Sequence, residues 1–230
     1  MHASTDIRLV KCLDGLHFSF EMLEHANDGL YDTCVRVQTD PAALAPALWR
    51  CWLLVDVVHR LRQLAEAVPG LSKRNPDLVA FLGATRVAED CRHYIQHLRS
   101  ELSRTNENPF PVWGSLSWVD PVDSTCSYTV LAGAQINNTA YSGAVLDTLE
   151  RRWVSKVCLG VQDLSFNVDP IIDACRRFRA FIIPWVLSTY SPGIQEREGL
   201  RISKFCFTLR QLEDAQPDAS SGQPASPSAR

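Results

Sequence analysis

The chain has no surplus of positive charge: 23 Lys and Arg stand against 26 Asp and Glu, for a formal net charge of −3. That excludes a globally basic surface, so any contact with nucleic acid has to come from a local patch. The eight cysteines (Cys12, Cys34, Cys51, Cys91, Cys126, Cys158, Cys175 and Cys206) form no C-x-x-C pair and no Cys/His ligand cluster. This excludes a zinc site and a disulfide framework, and it reads as reduced thiols on the apolar stripes of a cytoplasmic protein. No stretch of 18 apolar residues occurs, and Met1 to Asp6 lack the basic-then-apolar pattern of a secretory leader. The expectation is therefore a cytoplasmic location and no membrane partner. Signatures of nucleotide and acyl chemistry are missing as well. No P-loop or G-x-G-x-x-G follows a strand pattern, and Ser115, Ser117 and Ser142 lack the G-x-S-x-G context of a nucleophile elbow.

Helical periodicity dominates what is present. Leu9, Leu13, Leu16, Phe20, Leu23 and Leu30 predict a first helix over about 7–37, weakened at Gly15 and Gly29. Asp40-Pro41 opens a second over about 40–68, stopped by Pro69-Gly70. Asn75-Pro76 repeats the start signal, and the stripe Leu78, Phe81, Leu82, Ala88, Cys91, Ile95, Leu98 and Leu102 predicts a third helix to about 104. Asp169-Pro170 caps a fourth, over about 170–190, with Pro184 as a kink.

Between helices three and four the period changes to two. Trp113 to Trp118, Tyr128 to Ile136 and Val157 to Val161 predict strands in a β-region over about 112–166, with a turn at Asn137-Asn138-Thr139. A further strand is expected over about 201–210. The fold class is thus α+β: a four-helix bundle with a small antiparallel sheet inserted between helices three and four, forming one domain over 1–212. Between Glu213 and Arg230 the chain is Ser, Pro, Ala, Gln, Gly and Asp with no large apolar residue, a composition that cannot repay ordering entropy and predicts a disordered tail over 213–230.

The chemistry-bearing residues lie on two helices. On an ideal wheel for helix three, Ala88, Cys91, Ile95, Leu98 and Leu102 fall within about 80° of arc. That leaves His93 opposite the stripe and Arg92, Gln96 and His97 away from the core. Helix two carries a polar line of Asp56, His59, Arg60 and Gln63 at spacings of three and four. If the short 70–75 connection makes the two helices antiparallel neighbours, both lines border one groove. Elsewhere, His17 and His25 have no ligand-spaced partner, Arg176, Arg177 and Arg179 read as a solvated face, and Trp113 and Trp118 read as sheet core.

Arg92-His93-Tyr94-Ile95-Gln96-His97 resembles the Arg-x4-His motif of HEPN domains, helical bundles that include toxin and defence ribonucleases. The resemblance spans roughly 7–104 and 169–190; the inserted sheet departs from the minimal bundle. What it implies is a metal-independent endoribonuclease without a cofactor, in which Arg and His from two protomers of a homodimer meet on RNA. Arg92 would then clamp the scissile phosphate and His97 act as acid/base, with His93, Gln96, His59 and Arg60 as substrate-binding neighbours. It equally implies the family's other form, a non-catalytic dimerisation or interaction module of a bacterial defence or regulatory system, whose partner is a protein such as an antitoxin.

Overall fold

Two Asx residues fix the helix starts that the sequence marks. Asp40 accepts the Ala42 N–H at 3.0 Å and opens a short 3-10 turn, Pro41–Ala43, and Asn75 accepts the Asp77 and Leu78 N–H groups at 3.0 and 3.1 Å. Each cap satisfies donors that a helix N-terminus otherwise leaves open. In the computed structural model, residues 7–103, 110–133 and 143–190 are described. All belong to one compact unit. The strand expected over 201–210, the turn at 137–139 and the tail over 213–230 lie outside the described residues.

The helices are α1 (Ile7–Asn27), α2 (Leu30–Arg36), α3 (Leu44–Ala67), α4 (Pro76–Ala84), α5 (Arg86–Gln96), α6 (Leu98–Ser103) and α7 (Val168–Tyr190). Two of the expected long helices are therefore broken. The first divides at Gly29, whose φ of 65° is left-handed and cannot continue a right-handed helix. Gly15, by contrast, stays inside α1, where a Cβ would run into the Leu64 side chain of α3, so its bareness permits the close crossing.

The third expected helix divides twice, at Thr85 and at His97. Thr85 Oγ1 donates to the Phe81 carbonyl at 2.7 Å, so the side chain competes with the backbone ladder. The Arg62 guanidinium then closes the break, donating to the Leu82 carbonyl, to Thr85 Oγ1 at 2.9 Å and to Glu89 Oε2 at 2.7 Å. The fourth helix starts two residues early. Asp169 is no cap of it; its carboxylate accepts the Lys156 N–H at 2.6 Å and ties α7 to the sheet.

The strands are β1 (Ser115–Val119), β2 (Ser127–Leu131), β3 (Leu146–Asp147), β4 (Arg152–Trp153), β5 (Val157–Val161) and β6 (Leu164–Asn167). Four form an antiparallel sheet in the order β2-β1-β5-β6, and β3 and β4 form a separate hairpin. The fold is α+β. In register, Leu116 pairs with Val130 and Leu159, and Trp118 with Tyr128 and Val157. Leu116, Trp118, Val157, Leu159 and Phe166 join the helical core, so the sheet presents an apolar face to the helices.

α3 is the central element, with α1, α2 and α5 against it, while α4 packs on α7 and α7 returns to α1. Pro41–Ala67 is long and apolar enough to cross a bilayer. Part of that apolarity faces the core, where Leu54, Val55, Val57, Val58 and Leu61 are fully buried, and Trp49 on the same helix is exposed. Six of the seven described cysteines are buried and unbridged, and burial pushes the thiols of Cys34, Cys91, Cys158 and Cys175 up to about 12. Of the expected basic face on α7, Arg176 forks onto Glu24 at 2.6 and 3.0 Å and Arg179 pairs with Glu21 at 3.0 Å. Those two cations serve the α1–α7 contact.

Candidate functional site

The polar lines of α3 and α5 meet, as the sequence leads one to expect, and they meet through ion pairs. Asp56 accepts the Arg60 Nε–H at 2.7 Å through one oxygen, while its other oxygen lies 3.2 Å from Arg92 Nε across the seam. The Arg92 N–H does not line up with that oxygen, which makes the contact one of charge rather than a formed hydrogen bond. A second bridge, Arg62 to Glu89 at 2.7 Å, crosses the same seam. Two guanidiniums thus share one carboxylate at Asp56, leaving a local excess of one positive charge.

His59 sits among these groups, half-buried, and its Nδ1 has no hydrogen-bond partner among the described residues. Desolvation first, then the charge of Arg92, hold its pKa below the ordinary histidine value, against the opposing pull of Glu89 and Asp56. His59 is therefore a neutral imidazole near physiological pH.

Arg92 and His97 do not share a face. Five residues along a helix turn through about 140°. Arg92 accordingly leans onto α3 with 31 % of its side chain exposed, while exposed His97 caps the end of α5 and packs at a tilt against His93, ring centroids 4.3 Å apart. Gln96, His97, Arg99, Ser100 and Ser103 line a shallow depression of about 370 Å³ beside them. The structure thus joins His59, Arg60 and Arg92 on the seam and His93 to His97 on the outer crest, and it does not bring Arg92 and His97 together within one chain.

The segment before β1 completes the seam. Tyr94 Oη donates to the Val112 carbonyl at 3.0 Å, and Trp52 Nε1 donates to the Trp113 carbonyl at 3.4 Å. Trp113 is consequently no part of the core: it lies ahead of β1, 51 % exposed, edge-on to Trp52 at 6.3 Å. Trp118, with 1 % exposure, is the core tryptophan that the sequence predicts. Sequence reading placed Asp56 on the polar line without its bridging role, and it missed Arg62; the four-residue spacing of Asp56 and Arg60 was the available signal.

Among the described residues no group of three or more His, Cys, Asp or Glu side chains converges as a metal site. Comparison with known proteins gives no match to a protein family, a curated protein or a solved structure.

Proposed function

We propose that this chain is a HEPN-like RNA-directed protein of the binding kind, a cytoplasmic helical module that acts as a homodimer and holds RNA along the α3–α5 seam. The carrying observation is the sharing of Asp56 by Arg60 and Arg92, which leaves one guanidinium charge uncompensated on an accessible seam. A phosphate can take the free edges of both guanidiniums without stripping either from its carboxylate. The packing of α1, α3, α4–α5 and α7 around one core supports the bundle. Binding is favoured over cleavage because Arg92 is engaged within its own chain, and moving it onto a scissile phosphate would leave Asp56 with one partner fewer.

A second reading rests on the exposed His93–His97 pair. In a dimer, one protomer's His97 could meet its partner's seam, which would restore the metal-independent endoribonuclease that the motif implies.

The test incubates the purified full chain with total RNA in EDTA and follows retention and integrity together. Binding without cleavage, weakened in Arg60→Ala/Arg92→Ala and unchanged in His97→Ala, is the expected result. Cleavage abolished by either Arg92→Ala or His97→Ala replaces the binding reading with the nuclease one. No retention of RNA at low salt overturns both.

A further inference from the structure

Trp49 is 63 % exposed and Trp113 is 51 % exposed, although a tryptophan buries 150–250 Å² when it enters a core. Trp113 borders the seam just described through Trp52, and Trp49 stands one turn before Trp52 on the same line of α3. Trp49, Trp52, Asp56 and Arg60 follow one another at spacings of three and four along α3, one face of the helix over about 16 Å. Trp52 brings in Trp113 through its ring contact and its hydrogen bond, and Asp56 brings in Arg92. The seam is therefore aromatic at one end and cationic at the other.

The backbone of Trp113 is also fixed before any ligand arrives, and its ring rests edge-on against Trp52. Its carbonyl is held by Trp52, the preceding carbonyl by Tyr94, and a turn closes where the Gly114 N–H donates to the Pro111 carbonyl at 2.8 Å. A ring carried on a fixed backbone and braced on one side by Trp52 gives up less entropy when it stacks on a flat partner.

We propose that Trp49 and Trp113 are a base-stacking platform, and that the nucleic acid taken by the seam is single-stranded RNA with its backbone on Arg60 and Arg92. This rests on the RNA-binding reading above and adds to it the strand state of the ligand. In an A-form duplex the base faces are already stacked on one another, so these rings could engage only the ends. A single strand offers a free π-face at each nucleotide, whatever its sequence.

The experiment measures fluorescence polarisation of a short labelled RNA of mixed sequence, the same strand as DNA, and the RNA duplex. The full chain is compared with Trp49→Ala, Trp113→Ala and the ring-preserving Trp49→Phe and Trp113→Phe. The chain should prefer the single strand, each alanine variant should lose about tenfold in affinity for it, and phenylalanine should recover most of that loss. Duplex affinity should not move with any of these substitutions. Thermal melts check that each variant is folded, which the exposure of both side chains favours. Single-strand affinity unaltered by both alanine variants overturns the platform and leaves RNA binding standing. Absence of RNA binding by the unmodified chain overturns both. Equal affinity for single-stranded DNA keeps the platform and removes its preference for RNA, and concentration-dependent self-association lost on Trp49→Ala, without RNA binding, makes the patch a protein contact instead.

Discussion

Replacing Arg62 with Met keeps the aliphatic stem and removes the fork that closes the α4–α5 break. In the native fold that fork serves the Leu82 carbonyl, Thr85 Oγ1 and Glu89, and its side chain is only 11 % exposed. The Glu89 partner is 56 % exposed, so the ion pair itself contributes little, at most about 1 kcal/mol. The larger cost comes from Leu82 O and Thr85 Oγ1, each losing a charge-assisted donor worth roughly 1.5 kcal/mol in a setting from which water is largely excluded. Together the expected destabilisation is about 3–4 kcal/mol. For a unit of this size that lowers the melting temperature by roughly 6–16 °C. Urea unfolding followed by circular dichroism measures it: the midpoint should drop while the slope stays constant. Arg62→Lys should recover only part, since an ammonium cannot span three acceptors in one plane. An Arg62→Met variant within 1 kcal/mol of the parent would refute the claim that this guanidinium stabilises the break.

His59 gives a pH prediction. Its folded pKa lies below 6.5, so below that value the unfolded chain binds the proton more readily than the folded one, and stability falls as pH drops through 6.5 towards the folded pKa. Melting temperatures taken between about pH 7.5 and pH 5.5 should fall less steeply in His59→Gln than in the parent; equal slopes would remove His59 as a cause. The thiols give another. In a chain carrying Cys206→Ser, Cys126 is the exposed cysteine, whereas burial holds Cys34, Cys91, Cys158 and Cys175 protonated up to about 12. A thiol reagent near pH 8 should label one site at once and the rest only at the rate of unfolding, and adding Cys126→Ser should abolish the fast phase. Several fast sites would show that these helices open far more readily than their packing implies.

The elements announced by local chemistry were legible. Asp40 and Asn75 cap where they stand because an Asx side chain needs only the next two or three N–H groups, and the alternation around Tyr128 and Val157 yields paired strands. The two interruptions after Pro76 were not. Leu78 through Leu102 keep a helical period across Thr85 and His97, and nothing nearby in sequence reports that Arg62, more than twenty positions earlier, supplies the donors a break requires. Periodicity records which side faces the core, not whether the backbone is continuous.

The same limit governs the site. The wheel that turned Arg92 outward treated solvent as the only alternative to the core, whereas a flank residue at a helix–helix contact has a third choice, the polar line of the neighbour. Once α3 and α5 pack, the carboxylate of Asp56 lies 3.2 Å from Arg92 Nε, and a half-buried guanidinium without it would be a partly desolvated, unpaired charge. Among the described residues His97 meets no such neighbour, and it remains on the crest with His93. Packing thus separates two residues that the sequence presents as a pair. Any chemistry joining them has to bring a second protomer's crest to this protomer's seam, where it would contend with Trp49 and Trp113 for the same surface. A dimer that forms with the tryptophans still accessible to RNA, and a dimer that covers them, are therefore mutually exclusive uses of one face.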